Sequence, residues 1–267
     1  MADGHEVVVT RGGAPAVRDR ATGEVMHPVV GPRVEAAALY VEPSRLAERL
    51  AAPGDRPVVL LDVGLGAGGN AIAAWQASEA RAGGRRLEIV SCDRTARALE
   101  LALSHAADFG LEGAAGAAAR AVLDRGTHET SRTSWRVLLG ELPVALDAAP
   151  HADVVFWDPF SPRANPELWT VAAFAAARRV CRAGATLHTY SAATATRSAL
   201  WLAGFAVGRG PAIGAKEETT QAALRAAELA RPLDAAWLDR LARSSAPLPP
   251  DAPPDAALHM RDAMSRW

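Results

Sequence analysis

One carboxylate stands at the end of an apolar run, directly before a loop that two prolines stiffen. The run covers 154–157, and Asp158-Pro159-Phe160-Ser161-Pro162 follows it. Proline fixes φ and has no amide donor, so this loop offers mainly carbonyl acceptors. A rigid set of acceptors beside a carboxylate suits a nitrogen nucleophile. We therefore interpret Asp158 as a candidate catalytic residue that orients an amine and accepts its proton; the alternative is a simple turn cap.

A glycine-rich turn is the second candidate site. The stretch D-V-G-L-G-A-G-G-N covers 62–70, after an apolar run that predicts a buried strand. Its spacing fits the dinucleotide fingerprint G-x-G-x-x-G, and equally the D-x-G-x-G-x-G motif typical of S-adenosylmethionine-dependent methyltransferases. A plain strand-to-helix turn would satisfy it as well. The residues that we assign to a cofactor here are Asp62, Gly64, Gly66, Gly68 and Asn70.

Two further acids end predicted strands. Asp93 follows the second strand, where a carboxylate takes ribose hydroxyls in either interpretation of the glycine turn. Glu141 follows the third strand, where methyltransferases often place a polar residue beside the adenine; a surface glutamate is the alternative. We assign both residues to the cofactor pocket.

The positions of these residues follow from a regular alternation of strands and helices. Such alternation predicts an α/β fold with a parallel sheet covered on both faces, that is, a doubly wound Rossmann-like sheet of about seven strands. Ligands of such sheets bind outside the carboxyl ends of the strands. The predicted strands are 57–63, 87–93, 135–141, 154–158, 185–191, 205–209 and 220–225. The predicted helices are 70–82, 96–109, 166–181 and 194–203.

The sequence predicts three parts of the chain: a core domain and a segment on either side of it. Residues 1–50 are expected to form an N-terminal extension packed on the core, with a strand at 7–10 and a helix at 44–50. Residues 51–226 form the Rossmann-like domain, and 227–267 a helical tail. The Ala-rich then polar segment 113–134 is expected to be an insertion or a mobile loop.

Composition narrows the class of protein. The chain has 267 residues, 49% of them hydrophobic, and a net charge of −1. No apolar run reaches the roughly 18 residues that a membrane span requires, and the N-terminus has no apolar signal core. The two cysteines, Cys92 and Cys181, are interpreted as buried thiols, with no metal site. These features predict a cytoplasmic protein.

The charge is unevenly distributed. Residues 159–216 contain seven basic residues and one acid, a net charge of about +6. Two interpretations stay open: solvated helix faces, or a basic flank that faces an anionic substrate. The seven are Arg163, Arg178, Arg179, Arg182, Arg197, Arg209 and Lys216.

Several stretches together resemble the methyltransferase portion of the MnmC family. They are the glycine turn at 62–70, W-D-P-F-S-P-R-A-N-P-E-L-W-T at 157–170, and G-A-K-E-E-T-T-Q-A at 214–222. M-H-P-V-V-G-P-R-V-E-A at 26–36 is similar to the family's N-terminal segment. Family members convert 5-aminomethyl-2-thiouridine at the tRNA wobble position to its 5-methylaminomethyl form.

The resemblance implies S-adenosylmethionine as cofactor and tRNA as partner. It places Asp158 at the reacting amine, also within reach of the cofactor. It implies a substrate side made by Phe160, Arg163, Asn165, Trp169, Lys216 and Glu217. No FAD-binding oxidase domain follows residue 225, so we expect a stand-alone form and a separate enzyme that supplies the aminomethyl intermediate.

Three positions depart from the family pattern. Pro159 stands where the fused enzymes have glycine, and Asp93 where a longer glutamate is usual. Glu217 stands where the usual Lys-Arg-Glu stretch has its arginine, which removes a cation. These changes leave the exact nucleoside open.

Other functions on the same fold remain as alternatives. An aminopropyltransferase would require an acidic pocket for a polycation, and a small-molecule amine methyltransferase would not require RNA contacts. An NAD-dependent oxidoreductase would require a Tyr-Lys or His site, but Tyr40 and Tyr190 have no lysine nearby in sequence. A non-enzymatic RNA-binding module would have no use for the glycine turn.

Overall fold

The chain opens with a small antiparallel hairpin. A computed structural model describes residues 4–10, 12–26, 35–212 and 218–264. Strands β1 (His5–Val9) and β2 (Pro15–Asp19) pair with His5 opposite Asp19. A helical segment at Ala37–Val41 and helix α1 (Leu46–Ala51) then lead into the core. The predicted strand at 7–10 lies at 5–9, and its partner β2 was not predicted.

A mostly parallel sheet forms the centre of the molecule. Its strands are β3 (Val58–Val63), β4 (Leu87–Asp93), β5 (Thr127–Glu129), β6 (Thr133–Leu139), β7 (Ala152–Trp157), β8 (Cys181–Thr189), β9 (Ala206–Arg209) and β10 (Thr220–Ala223). The strand order is β5-β6-β4-β3-β7-β8-β10-β9 in the described residues. The five strands from β6 to β8 run parallel, while β5, β9 and β10 pair antiparallel at the edges.

Helices cover both faces of this sheet. The helices are α2 (Gly69–Glu79), α3 (Arg97–Ser104), α4 (Ala106–Phe109), α5 (Gly113–Arg125), α6 (Val171–Arg179), α7 (Thr194–Leu202), α8 (Ala235–Arg243) and α9 (Ala256–Met264). Short 3-10 turns lie at Val144–Ala148, Pro166–Trp169 and Ala226–Glu228. None of the helices in the described ranges is long and apolar enough to cross a membrane.

Alternation along the central strands divides the core into two layers. Val58 and Leu60 of β3 pack in one cluster with α2, α3 and α5, whereas Val59, Leu61 and Val63 pack in the other with α6 and α7. Because successive strand residues point to opposite faces, a strand that is apolar throughout belongs between two helical layers. All six residues of β3 are buried.

The doubly wound Rossmann-like fold is confirmed, with eight strands in the described part of the sheet rather than seven. The extra strand is β5, within the segment expected to be an insertion or a mobile loop. The mobile-loop alternative was wrong, because 113–125 is a helix whose small residues Ala118 and Ala119 are fully buried. The chain then turns at Gly126, with φ +76°, to add β5 to β6.

The helix predicted at 166–181 is divided in two. A 3-10 turn ends at Trp169, and Thr170 has an extended backbone. The Thr170 side chain accepts from the amide of Ala173, so it caps α6. The loop that follows Asp158 therefore ends in the 3-10 turn at Pro166–Trp169, before α6 begins.

Candidate functional site

The strand order reverses between β3 and β7, and a cavity of about 380 Å³ opens at their carboxyl ends. Gly64 follows β3 with φ +95°, a backbone conformation that favours glycine. A Cβ atom there would lie 2.6 Å from the carbonyl oxygen of Asp158. Only glycine therefore allows the two strand ends to approach this closely. The crevice beside them is where doubly wound sheets hold ligands.

Among the described residues, two side chains donate hydrogen bonds to the carboxylate of Asp158. The hydroxyl of Tyr40 donates to Oδ1 over 2.6 Å, and Nδ2 of Asn70 donates to Oδ2 over 2.7 Å. Burial, and secondarily the charge of Asp158, raise the pKa of Tyr40 well above its usual value. Tyr40 was missed as a site residue, because no motif surrounds it and its contact with Asp158 spans 118 positions.

Asp93 fastens the glycine turn from the neighbouring strand. Its Oδ2 accepts from the amide of Gly66 over 3.2 Å, and its Oδ1 accepts from the amide of Arg94 over 2.7 Å. Burial raises the pKa of Asp93, against the effect of these amides. Asp93 and Glu141 both line the cavity. The strand before Glu141 ends at Leu139, two residues earlier than predicted.

The loop after Asp158 forms another wall. Phe160 and Asn165 line the cavity. Trp169 is buried, and its Nε1 donates to the carbonyl of Phe160 over 2.8 Å. Trp169 therefore supports the loop from behind instead of lining the cavity. Arg163 is exposed and lies outside the lining.

Some predicted site residues have other positions. Asp62 is fully buried within β3, where it accepts from Ser91 Oγ over 2.7 Å. Gly68 precedes α2 with φ +82°. Neither is among the described residues that line the cavity. Lys216 and Glu217 lie outside the described residues.

The N-terminal hairpin and the residues that follow it, 24–26, close one side of the cavity, which the sequence did not predict. Met26 lines the cavity, and its sulfur lies 3.3 Å from the position of a Cβ on Gly66. Glu24 accepts from both the amide and the hydroxyl of Ser161, over 2.8 and 2.7 Å. These bonds connect the segment after the hairpin to the loop after Asp158.

The cavity is strongly acidic. Seven carboxylate side chains line it in the described part of the chain, against two basic side chains, His5 and Arg94. Such a lining favours a cationic ligand. The seven are Asp19, Glu24, Glu35, Asp93, Glu141, Asp158 and Glu167.

The basic flank predicted from the sequence is largely neutralised. Arg197 is fully buried, and its Nη1 lies 3.0 Å from Glu218 Oε1. Three more members form ion pairs with acids outside the span: Arg179 with Asp147, Arg182 with Asp153, and Arg209 with Asp234. For these four the interpretation as a free anion-binding surface was wrong. Their partners lie too far along the sequence for local charge counting to pair them.

Comparisons with known proteins agree with this geometry. Residues 118–225 match a family model described as S-adenosyl-L-methionine-dependent methyltransferase. The tRNA 5-methylaminomethyl-2-thiouridine biosynthesis bifunctional protein MnmC of Chromobacterium violaceum is 31% identical over 249 residues, 89% of this chain and 36% of that protein. The MnmC of Cupriavidus necator is 33% identical over 232 residues, 81% of this chain and 35% of that protein. The chain thus spans about a third of the length of these relatives.

A solved structure shares the fold. MnmC2 from Aquifex aeolicus superposes with a TM-score of 0.71 at 24% sequence identity, covering 98% of this chain and 85% of that one. The family match includes β7 and the loop after Asp158, where the sequence resemblance is most specific. The chain is therefore an MnmC-like member of the S-adenosyl-L-methionine-dependent methyltransferase family.

Proposed function

We propose that the chain transfers a methyl group from S-adenosyl-L-methionine to the primary amine of an aminomethyl group on the wobble uridine of tRNA. The product would be the 5-methylaminomethyl-2-thiouridine that the names of its MnmC relatives carry. The observation that carries this proposal is the carboxylate of Asp158, fixed by two donors beside an acidic cavity.

The residues around the glycine turn fit this cofactor. Gly66 has φ +49°, and a side chain there would enter the space in front of Met26. Asp93 and Glu141, which both line the cavity, would take the ribose hydroxyls and the adenine edge. When bound, the cofactor supplies an electrophilic methyl group on a sulfonium sulfur.

Asp158 would manage the proton of the amine. An alkylamine is mostly protonated at neutral pH, and only its neutral form has a lone pair for attack. A carboxylate that accepts from the N–H groups turns the lone pair away from itself, and it can take the proton that the nitrogen releases. Since the transfer is a direct displacement, holding the nitrogen in line accounts for most of the rate gain.

The charge of the cavity supports a cationic acceptor. The carboxylates attract an ammonium group, so they raise the amine's local concentration before it is deprotonated at Asp158. The same lining favours a second candidate function, transfer to a free polyamine or another small amine. In the sequence, the basic flank was an argument against an aminopropyltransferase, which would require an acidic pocket. The cavity itself is acidic, so that argument no longer applies.

A methyl-transfer assay separates these candidates. The chain is incubated with tritium-labelled S-adenosyl-L-methionine and one acceptor: tRNA with an aminomethyl wobble uridine, the same tRNA unmodified, or spermidine. We expect label only in the aminomethylated tRNA. Label in spermidine alone would select the second candidate, and no label in any acceptor would contradict methyl transfer to these amines.

Cofactor binding has its own test. Isothermal calorimetry is expected to show binding of S-adenosyl-L-methionine and of its demethylated product, and none of NAD. Gly66→Val should remove this binding, because its side chain enters the space before Met26, while circular dichroism shows a folded protein. Binding of NAD without a response to S-adenosyl-L-methionine would overturn the assignment.

A further inference from the structure

We infer that Tyr40 and Asn70 are positioning residues, which hold Asp158 as an anion in one orientation for the incoming amine. The inference rests on the proposed function and extends it to two side chains. Tyr40 comes from the segment before α1, and Asn70 from the first turn of α2. With Asp158 after β7, three separate elements meet at one carboxylate.

Tyr40 and Asn70 donate to different oxygens of the Asp158 carboxylate. Tyr40 reaches Oδ1 at 2.6 Å and Asn70 reaches Oδ2 at 2.7 Å. Rotation of the carboxylate about its last side-chain bond would break both bonds, so they fix its plane. Both donors are themselves fixed, since Tyr40 is fully buried and Asn70 is 4% exposed. The Tyr40 ring also packs against Phe156, with ring centroids 5.3 Å apart.

Charge gives these donors a second role. Burial, and then the charges of Asp158, Glu24 and Glu35, raise the pKa of Tyr190. The three carboxylates thus share one region of the cavity, where like charges disfavour one another's ionised forms. Hydrogen bonds to the ionised carboxylate favour it and offset this repulsion. Burial keeps Tyr40 protonated, so that it remains a donor. Tyr190 has another role, because its hydroxyl donates to the carbonyl of Pro159 over 3.2 Å.

Asn70 acts at the site through its amide nitrogen. Its Oδ1 is buried and has no hydrogen-bond partner within the described part of the protein. Asn70 lines the cavity, and its Nδ2 is committed to Asp158. Since Oδ1 is enclosed, the part of Asn70 that acts at the site is its amide donor, and its role is to hold Asp158.

The test compares Tyr40→Phe with a variant that loses a buried hydrogen bond elsewhere. Ser198→Ala serves as control, because Ser198 is fully buried in α7 and donates to the Pro247 carbonyl over 2.7 Å. We expect Tyr40→Phe to lower the single-turnover rate at saturating substrates about tenfold or more, with unchanged cofactor affinity. Ser198→Ala should lower only the melting temperature. Equal rates in Tyr40→Phe and wild type would overturn the inference.

A double variant identifies the route of the effect. Tyr40→Phe acts through Asp158, so adding it to Asp158→Asn should cause little further loss of rate. Multiplied losses would show that Tyr40 acts independently of Asp158 and would contradict the positioning role.

A readout without turnover keeps the two hypotheses apart. The carboxyl carbon of Asp158, assigned in NMR spectra by its absence in Asp158→Asn, should titrate at higher pH in Tyr40→Phe and in Asn70→Ala than in wild type. An unchanged titration in both variants would overturn the inference even if methyl transfer is found. A shifted titration in a protein that methylates none of the acceptors would support the inference and contradict the function.

Discussion

Gly64 and Asp158 touch through their backbones, so that no side chain fits between the ends of β3 and β7. A Cβ on Gly64 would lie 2.6 to 2.8 Å from the Asp158 carbonyl and the Pro159 nitrogen. The contact holds the cofactor turn and the Asp158 loop at a fixed separation. Any residue larger than glycine must separate the two motifs.

Gly64→Ala is therefore expected to destabilise the protein and to disturb the cavity. Gly184→Ala is a matched control, because Gly184 has φ +79° with nothing within 4 Å of a new Cβ. The control should cost about 1–2 kcal/mol from its backbone conformation alone. Gly64→Ala should cost a further 1–3 kcal/mol from the clash. Urea unfolding of both variants measures the difference, and equal losses would contradict the close approach.

Asp158→Asn and Asp158→Ala should bind cofactor normally yet lose about 10²-fold or more in turnover, the scale of a positioned acid–base group. Higher pH should partly restore Asp158→Asn, because more of the amine is then neutral. Single-turnover rates across pH measure this. Near-normal rates together with a lowered melting temperature would contradict the catalytic role and show that Asp158 acts only as a turn cap.

His188 should make the protein sensitive to acid. Burial, with Arg49 nearby, lowers the pKa of His188 to about 3, against about 6.5 in an unfolded chain. The folded state then binds fewer protons, so its stability is complete above about pH 6.5 and is lost as the pH falls toward 3. His188→Gln should reduce the loss of unfolding free energy between pH 7 and pH 4 by roughly 3 kcal/mol.

Denaturant unfolding at each pH measures that effect. His151→Gln is the control for removal of a histidine, because His151 is exposed, and this variant should retain the acid-dependent loss that His188 causes. A His188→Gln profile parallel to wild type would mean that the buried imidazole is not the titrating group.

Among the described residues of the basic flank, Arg163 is the one that lies in the loop beside Asp158, so we choose it to test for a contact with RNA. It is exposed, has no ion pair among the described residues, and lies within the loop after Asp158. If it binds a phosphate, Arg163→Ala should weaken tRNA binding. The plot of the logarithm of the binding constant against the logarithm of the salt concentration should also become shallower, with the magnitude of its slope reduced by about 1. Arg179→Ala is the control, since Arg179 is paired with Asp147. An unchanged slope in Arg163→Ala would exclude the phosphate contact.

Local patterns predicted the parts of the fold that depend on neighbouring residues. The apolar run of β3 ends at glycines, and those of β4 and β7 end at aspartates. This predicted both the sheet and the edge at which Asp158 lies. The Ala-rich helix α5 was missed because its buried face consists of small residues, which produce little hydrophobic contrast along the sequence.

Long-range contacts explain what the sequence did not predict. Glu24 and Ser161 are 137 positions apart, and nothing near either residue signals the other. Asn70 was assigned to the cofactor from its place in the glycine motif, yet its amide is bound to Asp158. Such pairings depend on strand order, and a single sequence carries little direct information about it.

The location of Tyr40 has a consequence for the boundaries of the functional unit. Every strand of the large sheet lies after residue 57, so a fragment that begins at residue 51 would retain all of them. That fragment would lack Tyr40 and the hairpin wall with Glu24 and Met26. The smallest segment that contains the sheet is therefore shorter than the smallest segment that contains the site. Deletion variants and domain transplants that contain only the Rossmann core would therefore lack part of the site.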